Sequence, residues 1–278
     1  MNPDGNLKYN GLRRLQKEVY MSHIPLFAAS FLFFNKFCIE NTLCEMKTLN
    51  MVLSFLLCYG CYVHAQTPNT LTPAEKAAGW QLIFDGKSFN GLQKLAEGGW
   101  EIKDGTLLAT PIPHGRQMDI ITKDTFGNFE LSFEFALSEN TNSGVKYLVT
   151  NDFPGQKDTY LGLEYQILDD INYNYPERGY LRSLASLYDL IPADQHKDTK
   201  PLGEWNTASI MVKGNQISHW LNNREVVTYD RSTASFAQLI EASKYKDLKN
   251  FGKAKKGHLL FQNEGTPIAF RNIKIRKL

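Results

Sequence analysis

From residue 127 onward, apolar and polar residues alternate in short runs. In "GNFELSFEFAL" (127–137), Phe129, Leu131, Phe133 and Phe135 fall on one face and Glu130, Ser132 and Glu134 on the other. A period of two marks a strand with one face in a core. The same reading covers "SGVKYLVT" (143–150), "LGLEYQIL" (161–168), "TASIMVKG" (207–214), "QISHWLN" (216–222), "EVVTYD" (225–230), "GHLLFQN" (257–263) and "AFRNIKIRKL" (269–278). Gly214-Asn215 and Asn222-Asn223 are predicted hairpin turns, since both pairs tolerate positive φ. One helix is expected within 232–250, with Leu239, Ala242 and Tyr245 sharing a face. Many short strands and one short helix predict an all-β fold, a two-sheet sandwich rather than a parallel α/β sheet.

The N-terminus follows a different pattern. "MKTLNMVLSFLLCYGCYVHAQ" (46–66) has a basic start, an apolar run from Met51 to Val63 and small residues before Gln66. That is the layout of a secretory signal peptide, too short for a comfortable membrane span. Residues 1–45 therefore read as an upstream extension, 46–65 as the signal peptide, 66–77 as a polar lead-in and 78–278 as one domain. Export to the periplasm or cell surface is expected, with no membrane span in the mature chain. Lipidation at Cys61 is the less favoured alternative, because the usual leucine three residues earlier is missing.

Composition then removes whole classes of chemistry. All four cysteines lie before residue 65, so a chain cleaved after Ala65 has no disulfide, thiol nucleophile or thiolate metal site. It would carry 25 basic and 25 acidic residues. A neutral surface offers no general field for nucleic acid or an anionic membrane. No H-E-x-x-H, P-loop or G-x-S-x-G motif is present, and His114, His196, His219 and His258 are scattered.

The better candidates come from two strands. On 161–168, Leu163, Tyr165 and Ile167 oppose Glu164 and Gln166; on 143–149, Gly144, Lys146 and Leu148 oppose Val145, Tyr147 and Val149. If the strands pair, Lys146 stands near Glu164. The pair is then either a cross-strand salt bridge on a wet face or the floor of a site. "LASLYDL" (184–190) brings Tyr188 after the tyrosine-rich loop "INYNYPERGY" (171–180), where aromatics suit sugar C–H faces or ordinary packing equally.

Taken in order, several segments resemble one known family. They are "GWQLIFDGKSFNGL" (79–92), "GNFELSFEFALSENTNSGVKYLV" (127–149), "EYQILDD" (164–170), "LYDL" (187–190), "GEWNTASIMVKGNQISHWLN" (203–222) and "FRNIKIRKL" (270–278). The chain thus resembles the 3-keto-disaccharide hydrolase family over about 78–278. The resemblance implies a concanavalin A-like β-sandwich, or jelly roll, acting on glycosides whose C3 hydroxyl has become a ketone. One departure is Gln262-Asn263-Glu264-Gly265, where the family typically runs on to His-Gly.

What the resemblance implies for mechanism follows from the ketone. It acidifies the C2 proton, and the glycosidic oxygen lies β to it, so one base can expel the aglycone and water can then add. Such a site needs a base, an enolate stabiliser and an acid. Glu164 would be the base, Lys146 the stabiliser, and Tyr188 or His258 the acid. Gln166, Gln262, Asn142 and Tyr173 would position hydroxyls. A divalent cation is an optional cofactor, held by Glu164, Asp169 or Asp170 with a histidine. The implied partners are a small glycoside substrate and a separate sugar 3-oxidoreductase. A lectin-like sugar-binding module is the alternative on the same fold, and a surface interaction protein with a merely solvated polar face is a third reading.

Overall fold

Phe129, Leu131, Phe133 and Phe135 are completely buried, as their alternation demands. In the computed structural model the described residues are 67–113, 118–154, 159–173 and 179–278. The expected extension, signal peptide and Cys61 lie outside them, as does His114. In chain order the elements are α1 (Pro73–Ala77), β1 (Gln81–Leu82), β2 (Leu92–Lys94), β3 (Trp100–Lys103), β4 (Thr106–Ala109), β5 (Ile120–Thr122), β6 (Phe129–Leu137), β7 (Asn142–Thr150) and β8 (Leu161–Leu168). A 3-10 turn (Gly179–Arg182) follows, then β9 (Trp205–Lys213), β10 (Gln216–Leu221), β11 (Arg224–Asp230), α2 (Ala234–Glu241), β12 (His258–Phe261) and β13 (Ile268–Lys277).

Among the described residues these strands form two antiparallel sheets. One runs β11-β10-β9-β6-β13-β4-β3, with β1 also on β13; the other runs β2-β5-β12-β7-β8. The core lies between them, built from the phenylalanines of β6, Phe270 of β13, and Val145, Tyr147, Leu163, Tyr165, Ile167 and Phe261 from the smaller sheet. The chain therefore forms the expected all-β, two-sheet sandwich. His219 belongs to this core: Tyr147 Oη bonds its Nε2 (2.8 Å) and Tyr229 Oη (2.6 Å). Burial lowers its pKa to about 4, so the ring stays neutral.

Both predicted hairpins form. Gly214 (φ 64°) turns β9 into β10, and Asn222 (φ 47°) with Asn223 (φ 68°) turns β10 into β11. Three details differ from the sequence reading. Leu148 adopts φ 52° at a bulge in β7, so it joins the core while Val149 turns to the outer face. The helix stops at Glu241, with Phe236 as its buried side chain and Leu239 exposed. Tyr245 comes from the turns that follow, stacked on Phe251 at 3.8 Å. Finally, β1 to β5 carry too few residues each to show a period.

The lead-in is held to the domain. Thr72 and Glu75 form a reciprocal capping box on α1, and Glu75 also pairs with Lys274 of β13. Asn69 exchanges hydrogen bonds with Asn272, which has φ 52° at the β13 bulge. Among the described residues no helix is long and apolar enough to cross a membrane.

Candidate active site

Because Leu163, Tyr165 and Ile167 face the core, Glu164 and Gln166 must face outward from the smaller sheet. Strand register then assembles a row across that face: Gln93 opposite Ile121, Ile121 opposite Leu260, Leu260 opposite Lys146, and Lys146 opposite Glu164. Two residues further along, Gln166 pairs with Gly144, and Gln262 N–H donates to the Gly144 carbonyl (2.9 Å). Asp119 flanks that second row just before β5.

This face is the floor of a cavity of about 880 Å³, inside the roughly 300–1,000 Å³ typical of small-ligand sites. Its floor is polar: Asp119, Lys146, Glu164, Gln166 and Gln262 are all buried, with Asn142 and Glu264 at one end. Its more apolar lining comes from Leu95, Tyr160, Leu161, Tyr188, Tyr245 and Leu248. Tyr188 is delivered by a segment that runs along the free edge of β8, where Gln166 N–H bonds Ser186 O (3.1 Å) and Tyr188 N–H bonds Glu164 O (3.1 Å). Ala185 (φ 66°) and Asp189 (φ 63°) bracket that segment in the left-handed region, at a cost of about 1–3 kcal/mol each.

Glu164 is 7% exposed, and among the described residues its carboxylate makes no hydrogen bond and no ion pair within 4 Å. Burial raises its pKa to about 7; Lys146 and Lys244 pull it down, while Glu264 and Asp119 push it further up. Asp119 is raised to about 6, again chiefly by burial, against Lys146 and the Asn263 N–H. Lys244 hangs over the Tyr188 ring (4.4 Å), and its pKa is lowered by burial. Two amide oxygens on the floor, Gln166 Oε1 and Gln262 Oε1, are buried without a partner among the described residues. Their amide nitrogens bond Asn142 Oδ1 (3.1 Å) and Glu264 Oε1 (3.3 Å). Unpaired buried acceptors in a cavity suit a ligand that brings hydroxyls.

Lys146, Tyr188, Gln166, Gln262 and Asn142 thus line one cavity with Glu164, and Tyr173 Oη reaches Asn142 Nδ2 (3.4 Å) at its edge. Three expectations are corrected. His258 does not line the cavity; its Nδ1–H donates to Thr122 O (2.7 Å) at the other end of β12. Asp169 accepts the Asn140, Ile171 and Asn172 amides and so fastens a turn. Asp170 pairs with Lys197 (2.9 Å) and accepts the Leu184 N–H (2.8 Å). Neither aspartate is brought to Glu164, and among the described residues no group of three or more His, Cys, Asp or Glu side chains converges for a metal.

The sequence reading missed Asp119, Lys244 and Tyr245. Asp119 precedes a strand of three residues, all buried, which shows no alternation. Lys244 and Tyr245 reach the cavity from turns, where periodicity carries no signal.

Comparisons with known proteins bear on the same unit. A 3-keto-disaccharide hydrolase from Bacteroides thetaiotaomicron is 34% identical over 233 residues, covering 73% of this chain and 79% of that protein. Two solved structures of Parabacteroides distasonis proteins assigned as glycosyl hydrolases align with TM-scores of 0.68 and 0.55 at 27% and 29% identity. They cover 76% and 72% of this chain and 100% and 99% of their own. Residues 79–276, which include every cavity residue named above, match the family of 3-keto-alpha-glucoside-1,2-lyase-like domains, and the chain belongs to it.

Proposed function

We propose that this protein is an exported enzyme that cleaves 3-keto-glycosides by removing the C2 proton, expelling the aglycone and adding water across the resulting double bond. The family and the named relative support glycoside cleavage; the 3-keto substrate and the elimination route are the finer reading. The observation that carries it is Glu164. A buried carboxylate with no hydrogen-bond partner among the described residues, raised to about 7, is suited to take a proton from carbon near neutral pH.

The other groups find roles around it. Lys146, opposite Glu164 in register, would face the oxygen where enolate charge develops. The unpaired oxygens of Gln166 and Gln262 would accept sugar hydroxyls, and Asn142, bonded to Gln166, would hold that amide in place. The mechanism needs no pair of carboxylates at glycosidase spacing, because no oxocarbenium ion forms. The ketone must be installed beforehand, so a sugar 3-oxidoreductase would supply the substrate. A divalent cation, if one is used, would be held by Glu164 with the amide oxygens of Gln166 and Gln262.

Incubation of the purified protein with an α-linked 3-keto-disaccharide and with its unoxidised parent tests this reading, with chelator present or absent. Release of sugar from the keto form alone is expected. Binding of the parent without cleavage of either would make the protein a sugar-binding module instead. Loss of turnover in chelator would assign the cation.

A further inference from the structure

Asp119 has a built setting that the reaction above leaves unused. It is 6% exposed and lines the same cavity as Glu164. Its Oδ1 is fixed by the Asn263 N–H (3.0 Å). Asn263 is in turn completely buried, its Nδ2 on Gly99 O (2.6 Å) and Thr110 O (2.9 Å) and its Oδ1 on Gly265 N (2.9 Å). Asp119 Oδ2 makes no hydrogen bond among the described residues. One oxygen is therefore anchored and the other is available to a ligand.

The sheet order sets where that oxygen stands relative to Glu164. Asp119 borders β5 and Glu164 lies on β8, with β12 and β7 between them; Lys146 is on β7 and Gln262 directly follows β12. Adjacent strands are about 4.8 Å apart, so the two backbones are separated by roughly 14 Å. Both side chains line the cavity, with Lys146 and Gln262 between them on its floor. A pyranose standing on edge above those two residues would present one face to each carboxyl. Expulsion of an axial oxygen at C1, anti to an axial C2 proton, needs a base on one face and an acid on the other.

We propose that Asp119 is the catalytic acid, protonating the departing glycosidic oxygen from the face opposite Glu164; this rests on the 3-keto-glycoside reading. Glu164 takes the C2 proton. That C–H pair becomes the second bond between C1 and C2, and the C1–O pair leaves with the oxygen, which takes the proton of Asp119. Water then returns hydroxide to C1 and a proton to Asp119, while Glu164 returns a proton to C2. Both carboxyls end as they began. The raised pKa of Asp119, about 6, keeps part of it protonated near neutrality; because Glu164 lies higher still, at about 7, the productive form, with Asp119 protonated and Glu164 ionised, is the minor one of the singly protonated states.

The test compares 3-keto-α-glucosides with an alkyl and with a p-nitrophenyl aglycone, since nitrophenolate leaves without protonation. Asp119→Asn keeps an acceptor for Asn263 and should lose ~10²–10⁴ in kcat/KM on the alkyl glycoside, but stay within about tenfold on the nitrophenyl one. Acetate should partly restore alkyl turnover to Asp119→Ala. Equal losses on both aglycones, or no loss, overturn the assignment, as would the same aglycone dependence appearing in Glu164→Gln. If the unsubstituted protein cleaves neither keto-glycoside, the function itself fails and the acid role falls with it.

Discussion

Lys146 stands directly opposite Glu164 in the β7–β8 register, yet the two side chains form no ion pair within 4 Å. A cross-strand pair left open on a buried floor is costly. Burial disfavours both charges, and their attraction is only partly collected. That arrangement makes sense if a third body completes it.

Glu164 should destabilise the protein that depends on it. Its pKa is 4.5 in its ordinary state and about 7 when folded. Between those values the folded state binds more protons than the unfolded one, so stability falls as pH rises through the window. Glu164→Gln should therefore be more stable than the parent at pH 8, by on the order of 3 kcal/mol, with the gap closing below pH 4.5. The same variant should lose ~10²–10⁴ in kcat/KM. Thermal melts at pH 4 and 8, beside turnover, check both halves.

The charges around Glu164 should move its pH profile in opposite directions. Lys244 lowers its pKa and Glu264 raises it. Lys244→Met should shift the acid limb of kcat/KM to higher pH, and Glu264→Gln should shift it lower. Movement of both limbs the same way would mean that Glu164 is not the group that titrates.

Gly144 is required by what folds over it. A methyl there would collide with Gln262 Oε1 and would lie 2.9 Å from Glu164 Oε1. Both are ends of flexible side chains that can swing aside, so Gly144→Ala should leave stability within about 1 kcal/mol but, by displacing both, cost roughly a hundredfold in kcat/KM. Urea unfolding together with turnover separates the two effects.

Asp169 should behave as a structural residue. Its carboxylate holds the Asn140, Ile171 and Asn172 amides, and these bonds keep its pKa below the usual range. Asp169→Ala should lower stability by about 1–3 kcal/mol, with turnover of the folded protein within about tenfold. A loss of turnover that added cation restores would return it to a ligand role.

How much of this was legible in the sequence depends on strand length. In β6 to β11 and β13, runs of six to ten residues alternate clearly, and they give the sandwich, the hairpins and the outward direction of Glu164. Register was not legible from either strand alone. It is set by pairing, and one left-handed residue, Leu148, was enough to reverse the expected faces at the end of β7. Asp119 stayed hidden because strands of three residues carry no period, and His258 was misassigned because periodicity says nothing of which end of a strand meets the cavity. Asp169 and Asp170 looked available for a cation only because turn hydrogen bonds leave no mark in composition.

The central claim is that the C2 proton leaves. Cleavage of a 3-keto-disaccharide in D₂O, followed by NMR of the released keto-sugar, reads it directly, with free keto-sugar incubated alongside as the control for slow spontaneous exchange. The account predicts deuterium at C2 in step with sugar release, and none above the control with Glu164→Gln. Sugar released with protium retained at C2, together with no primary isotope effect when the substrate carries deuterium at C2, would mean direct displacement at C1 and would contradict the role given to Glu164.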